Sequence, residues 1–262
     1  MLPAFFVSHG APTFPLTDAP ARSFLEQLAD RLDRPRAILV VSAHWETAAP
    51  SVTVDTVNPT IHDFYGFPAE LYAIRYPAPG STWLADEVAA RVQEAGLPVE
   101  RVADRGLDHG AWVPLRLIYP DADIPVIQLS VQPDMGPEHH LRLGEALAPL
   151  REQGVLIVGS GSFTHDLSSF RQYRDALNAP APDWVDEFAR WMSDAIEQGR
   201  TDDLVDYRRL APHAARNHPT EEHLLPLFVA LGAGGTGQAK HLHQSTTHGV
   251  LRMDAFAFGA AA

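Results

Sequence analysis

The stretch Ile38-Leu39-Val40-Val41, running into Ser42-Ala43-His44-Trp45, constrains the fold of this chain more than any other. A short, unbroken apolar run reads as a strand buried on both faces, as in an α/β sheet. That reading puts His44 just past the strand's C-terminal end, the edge outside which open α/β sheets bind ligands. Ala4-Phe5-Phe6-Val7 followed by Ser8-His9-Gly10 repeats the arrangement at the N-terminus. Two buried strands that each deliver a histidine to the same edge make the beginning of a metal site.

The segment between them supports this. Phe24, Leu25, Leu28 and Leu32 form an apolar stripe, which predicts a helix over 23–32. Strand, helix and strand then make a βαβ unit with parallel strands. Further strands are expected at 51–57, 72–76, 98–102, 125–129, 155–158 and 250–258. Helices are expected at 82–94 behind an N-cap at Ser81, and at 112–118, 137–150 and 182–198. Two short helices at 202–207 and 210–215 follow, with a last long one from Pro219 or Thr220 to Leu231 and a flexible break at 232–237. Residues 58–79 form a long loop with costly apolar content, of the kind that lines a pocket near a sheet edge. No repeat or shift in composition divides the chain. The expectation is one α/β domain over 1–262, with a mostly parallel or mixed central sheet covered by helices.

Composition narrows the function. Thirty-three acidic residues against 20 basic ones give a formal net charge of -13, which argues against nucleic acid or an anionic membrane surface as partner. There is no cysteine, hence no disulfide framework, thiol nucleophile or thiolate metal site. No secretory signal pattern and no bilayer-length apolar run is present, so a cytoplasmic location is expected. The 13 histidines point to metal or acid/base chemistry.

His9, His44, His109 and His165 each follow a strand or begin a helix beside Gly, Ser or Thr, and His223 lies in His218-Pro219-Thr220-Glu221-Glu222-His223-Leu224-Leu225-Pro226-Leu227. Three neutral imidazoles on one ion would leave positions open for substrate, as a catalytic metal requires. His-Glu-x-x-His is absent. Spacing alone also accommodates histidines that merely order loops, and His223 among leucines reads equally as a satisfied helix residue. His62, with Phe64, Tyr65 and Phe67, is either part of an aromatic pocket wall or a surface histidine on a packed loop. Trp45 and Trp112 fit a site or the core. Ser160 and Ser162 do not form a Gly-x-Ser-x-Gly elbow, and Gly232–Gly237 lacks a phosphate-loop ending. His241, His243 and His248 read as another metal cluster or, more in keeping with their spacing near a glycine-rich break, as an exposed polar loop. Asp18, Asp63, Arg75, Arg171 and Arg216 are the charged candidates for holding a substrate's amine or carboxylate.

Five blocks taken in order carry a resemblance. They are Ser8-His9-Gly10-Ala11-Pro12, Ser42-Ala43-His44-Trp45, Asp108-His109-Gly110-Ala111-Trp112-Val113-Pro114-Leu115, Gly159-Ser160-Gly161-Ser162-Phe163-Thr164-His165 and 218–227. Together they resemble the DOPA 4,5-dioxygenase family of the class III extradiol ring-cleaving dioxygenases, related to the protocatechuate 4,5-dioxygenase catalytic subunit. The similarity spans nearly the whole chain.

The resemblance implies a catalytic-subunit-like fold and a set of roles. His9 and His44 match two metal ligands, and His223 matches the third in the DOPA branch, where the protocatechuate branch carries a carboxylate. Glu221 and Glu222 adjoin that position, but the Glu-His-x-x-Pro-Leu wording favours His223. His165 matches the acid/base histidine, and His109 a pocket histidine near substrate or dioxygen. The implied reaction is insertion of O2 into a small, DOPA-like catechol to give a muconate semialdehyde. Fe(II) is the ion expected for activity, and Zn(II) is one the same ligands would pick up during purification. The implied partners are a small catechol and O2, with the protein a monomer or small homo-oligomer. A Zn-dependent hydrolase using metal-bound water, and a non-catalytic binding protein retaining the fold, are the alternatives.

Overall fold

Alternation along the apolar runs builds the molecule outward from its sheet. Phe5, Val7, Ile38, Val40, Val126, Leu156 and Val158 point to one face, and Ala4, Leu39, Val41, Ile127, Leu129, Val155 and Ile157 to the other. Both faces are apolar, so both need a cover of helices. The computed structural model describes residues 1–173 and 175–259, and shows this arrangement. The expected domain span of 1–262 therefore has Arg174 and its last three residues outside the described ones.

The strands are β1 (Ala4–Ser8), β2 (Ala37–Glu46), β3 (Ser51–Thr53), β4 (Glu100–Val102), β5 (Val126–Val131), β6 (Val155–Gly161), β7 (Ala239–His243), β8 (Thr246–Thr247), β9 (Leu251–Arg252) and β10 (Ala255–Phe258). Eight of them form one mixed sheet in the order β4-β3-β5-β2-β6-β1-β10-β7, and β8 and β9 form a separate hairpin. The middle strands β5, β2, β6 and β1 are parallel neighbours, while β10 and β7 add an antiparallel edge.

The helices are α1 (Pro20–Glu26), α2 (Ala69–Ala73), α3 (Thr82–Glu94), α4 (His109–Ile118), α5 (Gly136–Leu147), α6 (Leu167–Tyr173), α7 (Asp183–Glu197), α8 (Thr201–Val205), α9 (Tyr207–Leu210), α10 (Ala214–Asn217) and α11 (Leu225–Gly234). Helices α1 and α4 cover the first face, and α3, α5 and α11 cover the second. A third cluster joins α7 to Phe6, Phe228, Phe256 and Phe258. Among the described residues no helix is long and apolar enough to cross a membrane.

Several elements differ from expectation for identifiable reasons. β2 continues to Glu46, so His44 lies within the strand instead of beyond it. Pairing with β5 is irregular between Val41 and Glu46, and such an irregularity re-aims side chains at a sheet edge. The expected strand at 72–76 does not form: Tyr72 and Ala73 end α2, 74–76 are irregular, and the buried Tyr76 hydroxyl donates to the Tyr119 carbonyl. The last helix begins at Leu225, not at 219 or 220, because Pro226 fits only a first helical turn. His223 therefore stands in the segment before the helix. The expected break at 232–237 starts late, since Gly232–Gly234 still belong to α11. His241 and His243 lie on β7 instead of on a loop.

Candidate metal centre

Parallel β1, β2 and β6 end at one edge of the sheet, and the histidines gather there. His9 follows β1, and its backbone N–H donates to the Gly161 carbonyl at the end of β6. Its Nδ1 lies 3.0 Å from Ser160 Oγ, and that hydroxyl gives its own proton to the Gly110 carbonyl. Ser160 can then only accept from His9, which puts the proton on Nδ1 and leaves the Nε2 lone pair free. This nitrogen is 3.0 Å from Nε2 of His44. The separation suits a proton shared by the two rings or a cation taken by both, since two ligands about 2.1 Å from one ion lie roughly 3 Å apart.

His223 is brought in by the turn before α11. Glycines on β6 allow this approach. A Cβ at Gly161 would stand 2.1 Å from the His223 carbonyl, and one at Gly159 2.1 Å from that of Pro226. The Ser162 N–H donates to the His223 carbonyl at 2.9 Å. His223 Nδ1 donates to Glu222 Oε1 at 2.8 Å, so Glu222 occupies the far nitrogen of the ring. A carboxylate there orients a ligating histidine and raises its basicity. The available ligand atoms of His9, His44 and His223 lie within 4.8 Å of one another.

Burial holds all three rings neutral. His9 and His223 are kept well below the ordinary imidazole range, first by burial and then by neighbouring histidines. His44 is lowered to about 4 by burial and His109, against the opposing pull of Asp108 and Asp63. A buried cluster of lone-pair donors that resists protonation fits a soft-to-borderline divalent cation.

His165 stacks on His223 with ring centroids 3.5 Å apart, and burial lowers it to about 4. Its ring nitrogens make no hydrogen bond with the described residues. His109 begins α4, where the Asp108 side chain caps the helix by accepting from the Ala111 N–H. Its ring lies 3.8 Å from that of His44. Asp63 is next to it: Oδ1 accepts the His109 backbone N–H at 2.9 Å, and Oδ2 is 2.9 Å from Nδ1. Burial would raise the Asp63 carboxyl, but His109 overrides it and brings it to about 2.

All five histidines line one cavity of about 260 Å³, whose apolar lining includes Pro12, Phe67, Leu167, Phe170 and Leu251. Other candidates are placed elsewhere. His62 contacts the Ile74 carbonyl and packs near Phe64, Tyr72 and Trp112, and Tyr65 is 91% exposed. Trp112 is core, and Trp45 lies under the Arg105 guanidinium. Arg75 is turned onto the carbonyls of Tyr72 and Ile74, and Arg216 onto Trp184. His241 pairs with Asp254, and His243 with Ser245. Of the charged candidates, Asp63 is the one placed against the histidines, and it faces them instead of a substrate group. No local pattern in the sequence marks Leu167 and Phe170 of α6 as pocket residues, whereas Asp63 stands out as an acid within an aromatic loop.

The family model for the catalytic LigB subunit of aromatic ring-opening dioxygenase matches residues 3–254. A 4,5-DOPA dioxygenase extradiol from Beta vulgaris is 45% identical over 259 residues, covering 97% of this chain and 95% of its own. A protein of the same description from Escherichia coli (strain K12) is 40% identical over 238 residues, covering 88% and 85%. The crystal structure of an uncharacterized Escherichia coli K12 protein matches with a TM-score of 0.80 at 32% identity, over 99% of this chain and 100% of the other.

Fold and sequence together define an extradiol aromatic ring-opening dioxygenase, an enzyme whose class implies a small aromatic substrate and dioxygen. The chain belongs to the family of catalytic LigB subunits of these dioxygenases.

Proposed function

We propose that this enzyme is a non-haem Fe(II)-dependent extradiol dioxygenase that opens a small, DOPA-like catechol to a muconate semialdehyde. The observation that carries the reading is the meeting of His9, His44 and His223, from three separate segments, with the tautomers of His9 and His223 set by Ser160 and Glu222. These three would hold the ion. When bound, Fe(II) supplies chelation of the catechol oxygens and electron passage between ring and O2, which redox-inert Zn(II) does not.

The chain's own residues do the rest. The apolar wall flanks the aromatic ring and excludes water. His165, neutral and with ring nitrogens free, accepts a catechol proton and returns it as the ring opens. His109 lies beside the ligands, where, once it has taken a proton, it stabilises charge developing on oxygen. One catalytic unit spans 1–262, works in the cytoplasm on a free catechol, and needs neither nucleic acid nor membrane, as a monomer or small homo-oligomer.

The test is O2 uptake and formation of a yellow semialdehyde across a catechol panel, after anaerobic loading with Fe(II) or Zn(II). Turnover with Fe(II) alone is the expected result. Hydrolysis supported by Zn(II), without O2 uptake, would point to the hydrolase alternative.

A further inference from the structure

Two of the proposed ligands have the second ring nitrogen held by a hydrogen-bond partner. For His9 it is Ser160, and for His223 it is Glu222. The carboxylate brought closest to His109 Nδ1 is that of Asp63, a residue 46 positions earlier on the aromatic loop, which approaches it without completing a hydrogen bond. As the first residue of α4, His109 has a backbone N–H with no partner inside the helix. Asp63 Oδ1 accepts it at 2.9 Å. The other oxygen lies 2.9 Å from His109 Nδ1 and 3.9 Å from His44 Nδ1. Nδ1 of His109 is buried, and its N–H points off the line to Oδ2. Such contacts are often misaligned before substrate binds and tighten around it. The neighbouring Phe64 stands edge-on to the His109 ring at 5.7 Å, so one loop grips this imidazole from two directions.

We propose that Asp63 is a positioning residue for His109: it clasps the backbone and Nδ1 of His109 and presents Nε2 to the catechol as a proton acceptor. The inference rests on the ring-cleavage reading. A neutral imidazole donates through one nitrogen and accepts through the other, so a carboxylate at Nδ1 decides which. It also stabilises the imidazolium formed when Nε2 takes a proton, as in a Ser-His-Asp triad. The carboxylates near His165 are engaged elsewhere and make no hydrogen bond with its ring among the described residues: Asp166 is bonded to Ser168 and Ser169, and Glu222 to His223. Asp63 thus divides the labour between the two pocket histidines. The competing occupant is a second cation held by His44, Asp63 and His109, whose ligand atoms also lie within 4.8 Å.

The test compares wild type with Asp63→Asn, Asp63→Glu and His109→Gln. In Asp63→Asn, iron should stay at one per chain and KM for the best catechol should stay within about threefold, while kcat falls about 100-fold or more. Asp63→Glu should recover part of the loss. In the diamagnetic Zn(II)-loaded wild type, proton NMR should show a downfield, slowly exchanging imidazole N–H that is missing in both His109→Gln and Asp63→Asn. Wild-type kcat in Asp63→Asn, loss of iron together with activity, or two metal ions per wild-type chain would each overturn the proposal. If wild type consumes no O2 with any catechol, the ring-cleavage reading fails and the NMR comparison still decides Asp63. If Asp63→Asn does not fold, wild type against His109→Gln gives the same spectroscopic answer.

Discussion

At the scale of single residues, position relative to the cluster separates roles that composition leaves equal. Glu222 and His223 are adjacent in sequence, yet Glu222 faces the outer nitrogen of His223. His223→Ala is therefore expected to abolish stoichiometric iron, whereas Glu222→Gln should keep the ligand and weaken metal affinity by about 10–100-fold. His165→Ala should bind iron normally and lose about 100-fold or more in kcat. Metal analysis beside steady-state kinetics reads all three; normal iron in His223→Ala would remove the ligand assignment. The five histidines were legible from the chain, because each stands beside small residues at the end of an apolar run or in a family block. Asp63 was legible only as an unplaced acid, because its partner is 46 positions away.

At the scale of elements, the C-terminal end of β6 acts through what it lacks. Gly161 has no side chain to collide with the His223 carbonyl. Gly161→Ala should cost about 1–3 kcal/mol in overpacking and reduce metal affinity, measured by urea denaturation and metal titration. The turn from β5 into α5 holds a different device. His140 Nδ1 donates to the Gly136 carbonyl, and Nε2 accepts the Gln132 N–H. Burial lowers this histidine from 6.5 to about 4. Above pH 6.5 both folded and unfolded forms are neutral, and stability is complete. As the pH falls from 6.5 toward 4, the unfolded chain binds a proton that the buried ring refuses, and stability is lost. The loss at pH 5 is about 2 kcal/mol. In chelator, His140→Gln should lose that much less than wild type between pH 7 and pH 5; equal losses would refute the assignment. β1, β2, β5, β6 and α3 were readable because local periodicity matches their burial. α6 and β7 were not, because neighbouring segments decide them: α6 completes the pocket wall, and β7 pairs with β10.

At the scale of the whole molecule, the centre ties together segments that begin at residue 9 and end at residue 223. An ion held by the folded chain alone stabilises it by about 2.7 kcal/mol at a hundredfold excess over Kd. For a chain of this size, that raises Tm by about 5 °C or more. Anaerobic thermal melts with Fe(II), or aerobic ones with Zn(II), should show the rise in wild type and not in His9→Ala. An equal rise in both would place the ion elsewhere.

The sequence by itself determined the buried parallel strands, the covering helices, the family and the histidines, because these depend on apolar periodicity and on residue identity within short blocks. Only the tertiary structure decided how His44 is aimed, which nitrogen of His9 is free, and that Glu222 stands behind His223 and Asp63 behind His109. These are matters of direction and distance between segments far apart in the chain. A proton's place on an imidazole is set by the partner across space, and no local pattern carries that partner's position.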